Sequence, residues 1–226
     1  MYTLQQTSIW HMDKTAKFKV DPALTKILGE SYTSVEAAIK ELVDNCYDAD
    51  SAKVSVDFPN PFDHSKIVIT DDGDGMTPNE VREIYLKIAS SRTSRKGDTT
   101  QGKKRKVKGR KGIGKFAGLM IANFMEIKTK VRGLETTIII SKNVILSKDQ
   151  DLEAIELPIN SIPCNNGDHG TTITLTGINQ NFTFPNPDKL KQILSREYLR
   201  ENDFTITVNG DEVSVKDIPG QKFEKE

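Results

Sequence analysis

Residues Ile39-Lys-Glu-Leu-Val-Asp-Asn-Cys-Tyr-Asp48 are followed, after Ala49-Asp-Ser-Ala52, by Lys53-Val-Ser-Val-Asp-Phe58. The hydrophobic period changes between the two. Ile39, Leu42, Val43 and Cys46 recur at i, i+3, i+4 and i+7, the apolar stripe of an α-helix. Val54, Val56 and Phe58 alternate with Lys53, Ser55 and Asp57, the period of a half-buried strand. The helical reading reaches back to Asp21. Forward, a turn rich in Pro, Asn and Asp leads to a second apolar strand, Lys66–Thr70, which runs into Asp71-Asp-Gly-Asp-Gly-Met76. Thr77 then reads as an N-cap, with Pro78 at the first helical position and Glu80 completing a capping box.

From Ser90 to Lys111 the pattern is a polar, basic loop, and Gly112–Asn123 predicts a helix. Beyond it the chain is rich in strands: Met125–Lys130, Leu134–Ser141, Asn143–Leu146, Leu152–Leu157 and Thr171–Leu175. A helix is predicted over Pro187–Glu197. Phe204–Val208 and Glu212–Val215 flank Asn209-Gly210, a strong hairpin turn. Helices and strands first, then mostly antiparallel strands, argue for an α+β fold. The expected form is a two-layer sandwich of a mixed, mainly antiparallel sheet with helices on one face, not a doubly wound parallel sheet.

Composition narrows the function classes. The 226 residues carry 32 basic and 32 acidic side chains, so net charge directs the chain to neither nucleic acid nor an anionic membrane. Cys46 and Cys164 form no CxxC pair, and with His11, His64 and His169 they make no zinc pattern. A reduced, cytoplasmic setting is expected. The first twenty residues show no secretory signal, and no segment approaches the roughly 20 apolar residues that span a bilayer, so no membrane partner is expected.

Four segments carry chemistry. Glu41, Asn45 and Asp48, at i, i+4 and i+7, share the helix face opposite the apolar stripe. Asp71-Asp-Gly73-Asp-Gly75-Met76 ends a strand; its glycines allow a close backbone approach, and a carboxylate there can accept from an amino group. It lacks the later ligands and closing Glu of a calcium loop. Gly109-Arg-Lys-Gly-Ile-Gly-Lys-Phe-Ala-Gly118 sets glycines at a helix start, where backbone N–H groups bind phosphate. It is neither a P-loop nor a dinucleotide fingerprint. The last segment, Gly170-Thr-Thr-Ile173, is by itself an ordinary strand.

In this order the four segments resemble the motifs of the GHKL superfamily: gyrase B, the ninety-kilodalton heat-shock chaperones, histidine kinases and MutL, with the MORC ATPases as relatives. The resemblance runs from about Leu24 to Leu175 and implies the Bergerat ATP-binding fold, with ATP and Mg²⁺ bound. By resemblance, Asn45 supplies the magnesium ligand and Asp71 accepts from the adenine amino group, joined by Thr171. Asp48, Ala49, Gly75 and Met76 would line the base. Gly112, Ile113, Gly114, Lys115 and Phe116 would wrap the triphosphate. Ser90 and Ser91, with Thr93, stand where the family's lid begins, and their hydroxyls would hold it. Glu41, four residues before the magnesium asparagine, is the general base of the hydrolytic branches; histidine kinases usually carry asparagine there.

Three regions are expected: an N-terminal extension over 1–20, an ATP-binding domain over 21–180 with a lid at 90–111, and a C-terminal helix and hairpin over 181–226, either the start of a truncated second domain or the end of a minimal protein. The hydrolytic relatives usually carry that second domain, so slow turnover is expected. Between Arg92 and Lys115 there are eleven Lys or Arg and one acid, Asp98. The run reads as a lid alone, as a lid that also contacts nucleic acid, or as a solvated loop. Three functions stay open: an ATPase that drives closure and homodimerisation through the N-terminal region, in a chaperone-like or DNA-associated machine; a protein kinase of the same fold; and a non-catalytic nucleotide-binding scaffold.

Overall fold

The structure, a computed structural model, describes residues 15–17, 34–59, 63, 65–86, 98–109, 114–143, 156–183 and 186–218. Helix α1 spans Val35–Asp48. Ser34 caps it by accepting from the Ala37 N–H, satisfying one of the free N–H groups of the first turn. Ile39, Leu42, Val43 and Cys46 are buried as the stripe requires. Residues 21–33 of the expected helix lie outside the described residues.

Among the described residues, nine strands form one sheet. They are β1 (Thr15–Lys17), β2 (Lys53–Asp57), β3 (Lys66–Asp71), β4 (Ala122–Val131), β5 (Leu134–Ser141), β6 (Glu156–Pro163), β7 (Gly170–Ile178), β8 (Thr205–Val208) and β9 (Asp211–Glu212). Their order is β1-β6-β5-β4-β7-β3-β2-β8-β9. Every pair is antiparallel except β2 with β8, so the sheet is mixed and mainly antiparallel.

Helix α2 opens at Pro78–Glu80 with both bonds of the Thr77/Glu80 capping box made, then widens into a π-helical turn over Val81–Tyr85. A 3₁₀ turn at Gly114–Phe116 leads into α3, Gly118–Ile121. Helical structure stops there, two residues before the expected end at Asn123: Ala122 is already paired with Ile178 of β7, and sheet pairing overrides the local propensity. Helix α4 spans Pro187–Tyr198, capped by Asn186.

Inward residues of the sheet, among them Ile67, Ile69, Met125, Ile127, Ile138, Ile140, Ile173 and Leu175, join helical Ile39, Leu42, Leu119, Ile121, Leu190 and Leu194 in one core. The opposite sheet face shows Phe124 and Ile139, about half exposed. Thr15–Lys17, at the edge of the expected N-terminal extension, pairs with β6. The C-terminal helix and hairpin join the same core and the same sheet through Leu190, Leu194 and β8.

Candidate functional site

Strand register builds the first half of the site. β7 lies between β3 and β4, so Thr171 stands opposite both Asp71 and Thr129. Asp71 is 8% exposed. Its Oδ1 accepts from Gly73 N at 2.8 Å and Thr171 N at 3.2 Å. Burial raises its pKa to about 6, against the opposing bonds from Gly73, the Cys46 thiol and Thr171. The Asp71 carboxylate and the surrounding apolar packing in turn push the Cys46 thiol well up, burial being the larger cause.

Around Asp71 the chain is drawn together tightly. A side chain at Gly73 would meet Ala49 O at 2.6 Å. Gly75, at φ +68°, lies on Lys130 O, and Gly170, at φ +111°, on Asp71 O, each too close for any Cβ; only glycine combines that φ with that approach. The Met76 N–H donates to Thr129 Oγ1 at 2.8 Å, and that hydroxyl also reaches Gly170 O and Thr171 Oγ1. His169 Nδ1 lies 2.9 Å from Gly73 O; a carbonyl only accepts, so Nδ1 carries the proton. Thr129 and His169 are members of this half that the sequence reading did not single out.

α1 builds the second half. Glu41 and Asn45 lie one turn apart on its face toward the glycine-rich segment. Gly114 packs directly on Glu41 Oε2, so that a Cβ there would displace the carboxylate, and this brings the first and third motifs into contact. A Cβ at Gly109 would lie 3.7 Å from Asn45 Oδ1 and 3.1 Å from Asp48 Oδ2. The Asn45 Nδ2 is buried without a hydrogen-bond partner, an uncommon condition for a buried amide and one a bound ligand would relieve. Among the described residues no three His, Cys, Asp or Glu side chains converge on a metal position. One amide oxygen is a suitable hard ligand for a magnesium ion that keeps its waters and phosphate oxygens, and Asn45 fits that use.

The other expected site residues fall as follows. Asp48 turns its carboxylate to the N–H groups of Lys108 and Gly109, at 2.9 Å each, while Ala49 lies under the Asp71–Gly73 turn. The Lys115 ammonium donates to Ile84 O at 3.2 Å, beside the rings of Tyr85 and Phe116. Phe116 is buried against Tyr85, whose hydroxyl donates to Lys115 O at 3.2 Å. Burial raises the Tyr85 hydroxyl's pKa, keeping it a donor. Ser90, Ser91, Thr93, Gly112 and Ile113 lie outside the described residues.

Residues 98–109, the described part of the expected lid, are fastened to the body. Thr99 bridges Lys106, Asp50 accepts from the Thr100 hydroxyl and the Gly102 and Lys103 N–H groups, and the Arg105 side chain is buried.

An α+β sandwich with a buried acceptor at one strand end, and an acid and an amide facing a glycine-rich segment from one helix, defines an ATP-binding domain. The family described as "Histidine kinase-, DNA gyrase B-, and HSP90-like ATPase" matches residues 32–171, more than half of the chain, and the chain belongs to it. Over 114 residues the chain is also 33% identical to a protein of Herpetosiphon aurantiacus named "Putative type II restriction enzyme HgiDII". The alignment covers 50% of this chain and 18% of that protein, so the chain spans less than a fifth of that relative's length. Among the described residues no helix is long and apolar enough to cross a membrane.

Proposed function

We propose that this domain binds Mg·ATP and hydrolyses it slowly to ADP and phosphate. The observation that carries the reading is the shared face of Glu41 and Asn45, met by Gly114 at the carboxylate and by Gly109 at the amide. Asp71 accepts from the adenine amino group, and Thr171 and Thr129 hold the same rim. The Asn45 amide oxygen holds Mg²⁺, which when bound offsets phosphate charge. Backbone N–H groups over 112–116 take the phosphates. Glu41 removes a proton from the attacking water as the new P–O bond forms and the bond to the ADP oxygen breaks. By the family resemblance, glutamate at this position, where histidine kinases usually carry asparagine, favours hydrolysis over phosphotransfer.

The test is Glu41→Gln. Single-turnover phosphate release should fall by about 10²–10⁴-fold, the usual contribution of a general base. ATP affinity should stay within a few-fold, because the base acts in the transition state. Release at the parent rate would refute hydrolysis through Glu41, and γ-phosphate label appearing on protein would favour the kinase reading.

The relative's printed name favours a DNA-associated machine over a chaperone-like one. Nucleotide-driven dimerisation through the N-terminal region belongs to the same proposal; molar mass measured with and without a non-hydrolysable analogue tests it.

A further inference from the structure

Loop 98–109 holds five basic residues, and three of them are spent inside the molecule. Arg105 is 6% exposed. Its Nη1 donates to Ser51 O at 2.7 Å and Tyr47 O at 3.3 Å, carbonyls at the C-terminal end of α1. Its Nη2 donates to Asp203 O at 2.6 Å and its Nε to Asp203 Oδ2 at 3.0 Å. The guanidinium lies 4.5 Å from the Tyr47 ring centre and 5.3 Å from that of Phe204. Lys108 sits 4.3 Å from the Tyr198 ring centre, 3.6 Å from Glu201 Oε1, and donates to Glu197 O. Lys103 donates to Ser51 O and Asp203 O.

A cation at a helix C-terminus, desolvated between aromatic faces and paired with a carboxylate, is held by several reinforcing interactions. What Arg105 and Lys108 grip belongs to the end of α1 and the turn after it, from Tyr47 to Ser51, or to Glu197–Phe204, the end of α4 and its link to β8. The far end of the loop is Gly109. Its N–H and that of Lys108 are bound by Asp48, and its Cα faces Asn45 Oδ1, 3.7 Å from where a Cβ would stand.

We infer that residues 98–109 form a fixed strut rather than a moving part of a lid, and that Arg105 and Asp48 are positioning residues that set the start of the phosphate-binding segment over Asn45. Arg105 acts at a distance: it fixes the loop between α1 and the Glu197–Phe204 segment, and Asp48 converts that fixed loop into a fixed Gly109. Of the adenine half, Asp71, Thr129 and Thr171 make none of these contacts, while Asp48, expected beside the base by resemblance, has its carboxylate on the Lys108 and Gly109 N–H groups. Loosening the strut therefore costs phosphate recognition and spares the base. The inference rests on the nucleotide reading above.

The test compares two ligands on Arg105→Gln and on the parent chain: a non-hydrolysable ATP analogue with magnesium, and adenosine, each titrated by calorimetry or ligand-observed NMR. The analogue should bind roughly tenfold more weakly, the equivalent of one charge-assisted interaction's worth of preorganisation, with adenosine affinity within about twofold of the parent. Arg105→Lys should recover part of the loss. Should Arg105→Gln fail to fold, Asp203→Asn, at a side chain 51% exposed, asks the same question, with a loss of about threefold expected from weakening a single ion pair. Equal weakening of both ligands, or weakening of neither, overturns the inference while leaving the nucleotide reading intact. A parent chain that binds no analogue overturns both. Amide exchange supplies an independent arm: the Lys108 and Gly109 N–H groups should be protected in the nucleotide-free parent and lose that protection in Arg105→Gln. Open-coil exchange in the parent overturns the strut itself.

Discussion

Asp71→Asn should stabilise the nucleotide-free protein and weaken its ATP binding. The carboxyl group is buried, and desolvation raises its pKa from 3.8 to about 6. The folded chain thus holds this proton more tightly than the unfolded chain does. Its contribution to stability is complete below pH about 4, falls as pH rises toward about 6, and is gone above it, where the buried carboxylate is a net cost. Each pH unit is worth about 1.4 kcal/mol, so the rise from 3.8 to about 6 amounts to about 3 kcal/mol at pH 7–8. Asparagine keeps an oxygen for the Gly73 and Thr171 N–H groups but accepts as a neutral group, so a gain of about 1–3 kcal/mol is expected. The same exchange of a charged for a neutral acceptor should cost about 1.5–3 kcal/mol in ATP binding, roughly 10–150-fold. Denaturant unfolding of both proteins at pH 5, 6, 7 and 8, with calorimetric titration of an ATP analogue at pH 7.5, measures both effects. The stability advantage should be largest at pH 7–8 and shrink at pH 5. A variant less stable than the parent by a constant margin from pH 5 to 8 would refute the burial argument, and unchanged ATP affinity would refute the adenine assignment.

Asn45→Ala should differ from Glu41→Gln by weakening Mg·ATP itself, about tenfold or more for a lost metal-ligand contact; titration with and without magnesium should then give nearly equal affinities. Gly114→Ala forces a methyl onto Glu41 Oε2, so turnover should fall by at least about 100-fold as the base is displaced, with circular dichroism showing the fold retained. Trypsin should cut within 103–108 late in a digestion followed by mass spectrometry, with or without nucleotide, because Lys103, Arg105 and Lys108 are all bonded to the body; early cleavage there would show that the anchor does not hold in solution.

What the sequence made legible was local. The α1 stripe, the Thr77/Glu80 box and the Asn209-Gly210 turn each signal within a few residues, and each formed. The four motifs were legible because their glycines and carboxylates sit at fixed spacings. What was hidden depends on partners far along the chain. Nothing near Thr15–Lys17 or Thr205–Val208 announces that these residues pair with β6 and, in parallel, with β2. Thr129 looks like any alternating strand residue until register sets it beside Thr171. For the basic run, charge density says where cations are and not what they touch. Arg105 meets Asp203, 98 positions away, and a cation buried in such a pairing is withdrawn from any phosphate, nucleotide or nucleic acid alike.

The described residues contain three buried side-chain polar atoms without partners: Asn45 Nδ2, Glu36 Oε2 and Ser51 Oγ. Their surroundings separate them. Glu36 has its other oxygen 2.7 Å from Lys189, and Ser51 lies under the strut, with its carbonyl held by Lys103 and Arg105; both orphans sit in structural ion-pair or capping networks. Asn45 shares its helix face with the Glu41 carboxylate and has Gly109 beside its amide, 3.7 Å from where a Cβ would stand. Asp71, at the other end of the site, is a buried acceptor whose charged form is disfavoured by its burial. A ligand that pairs with these groups only in the folded state stabilises that state by mass action. The cost carried at Asp71 is therefore where binding and folding are coupled, and substitution there should move stability and affinity in opposite directions, whereas substitutions at Glu36 or Ser51 should move stability alone.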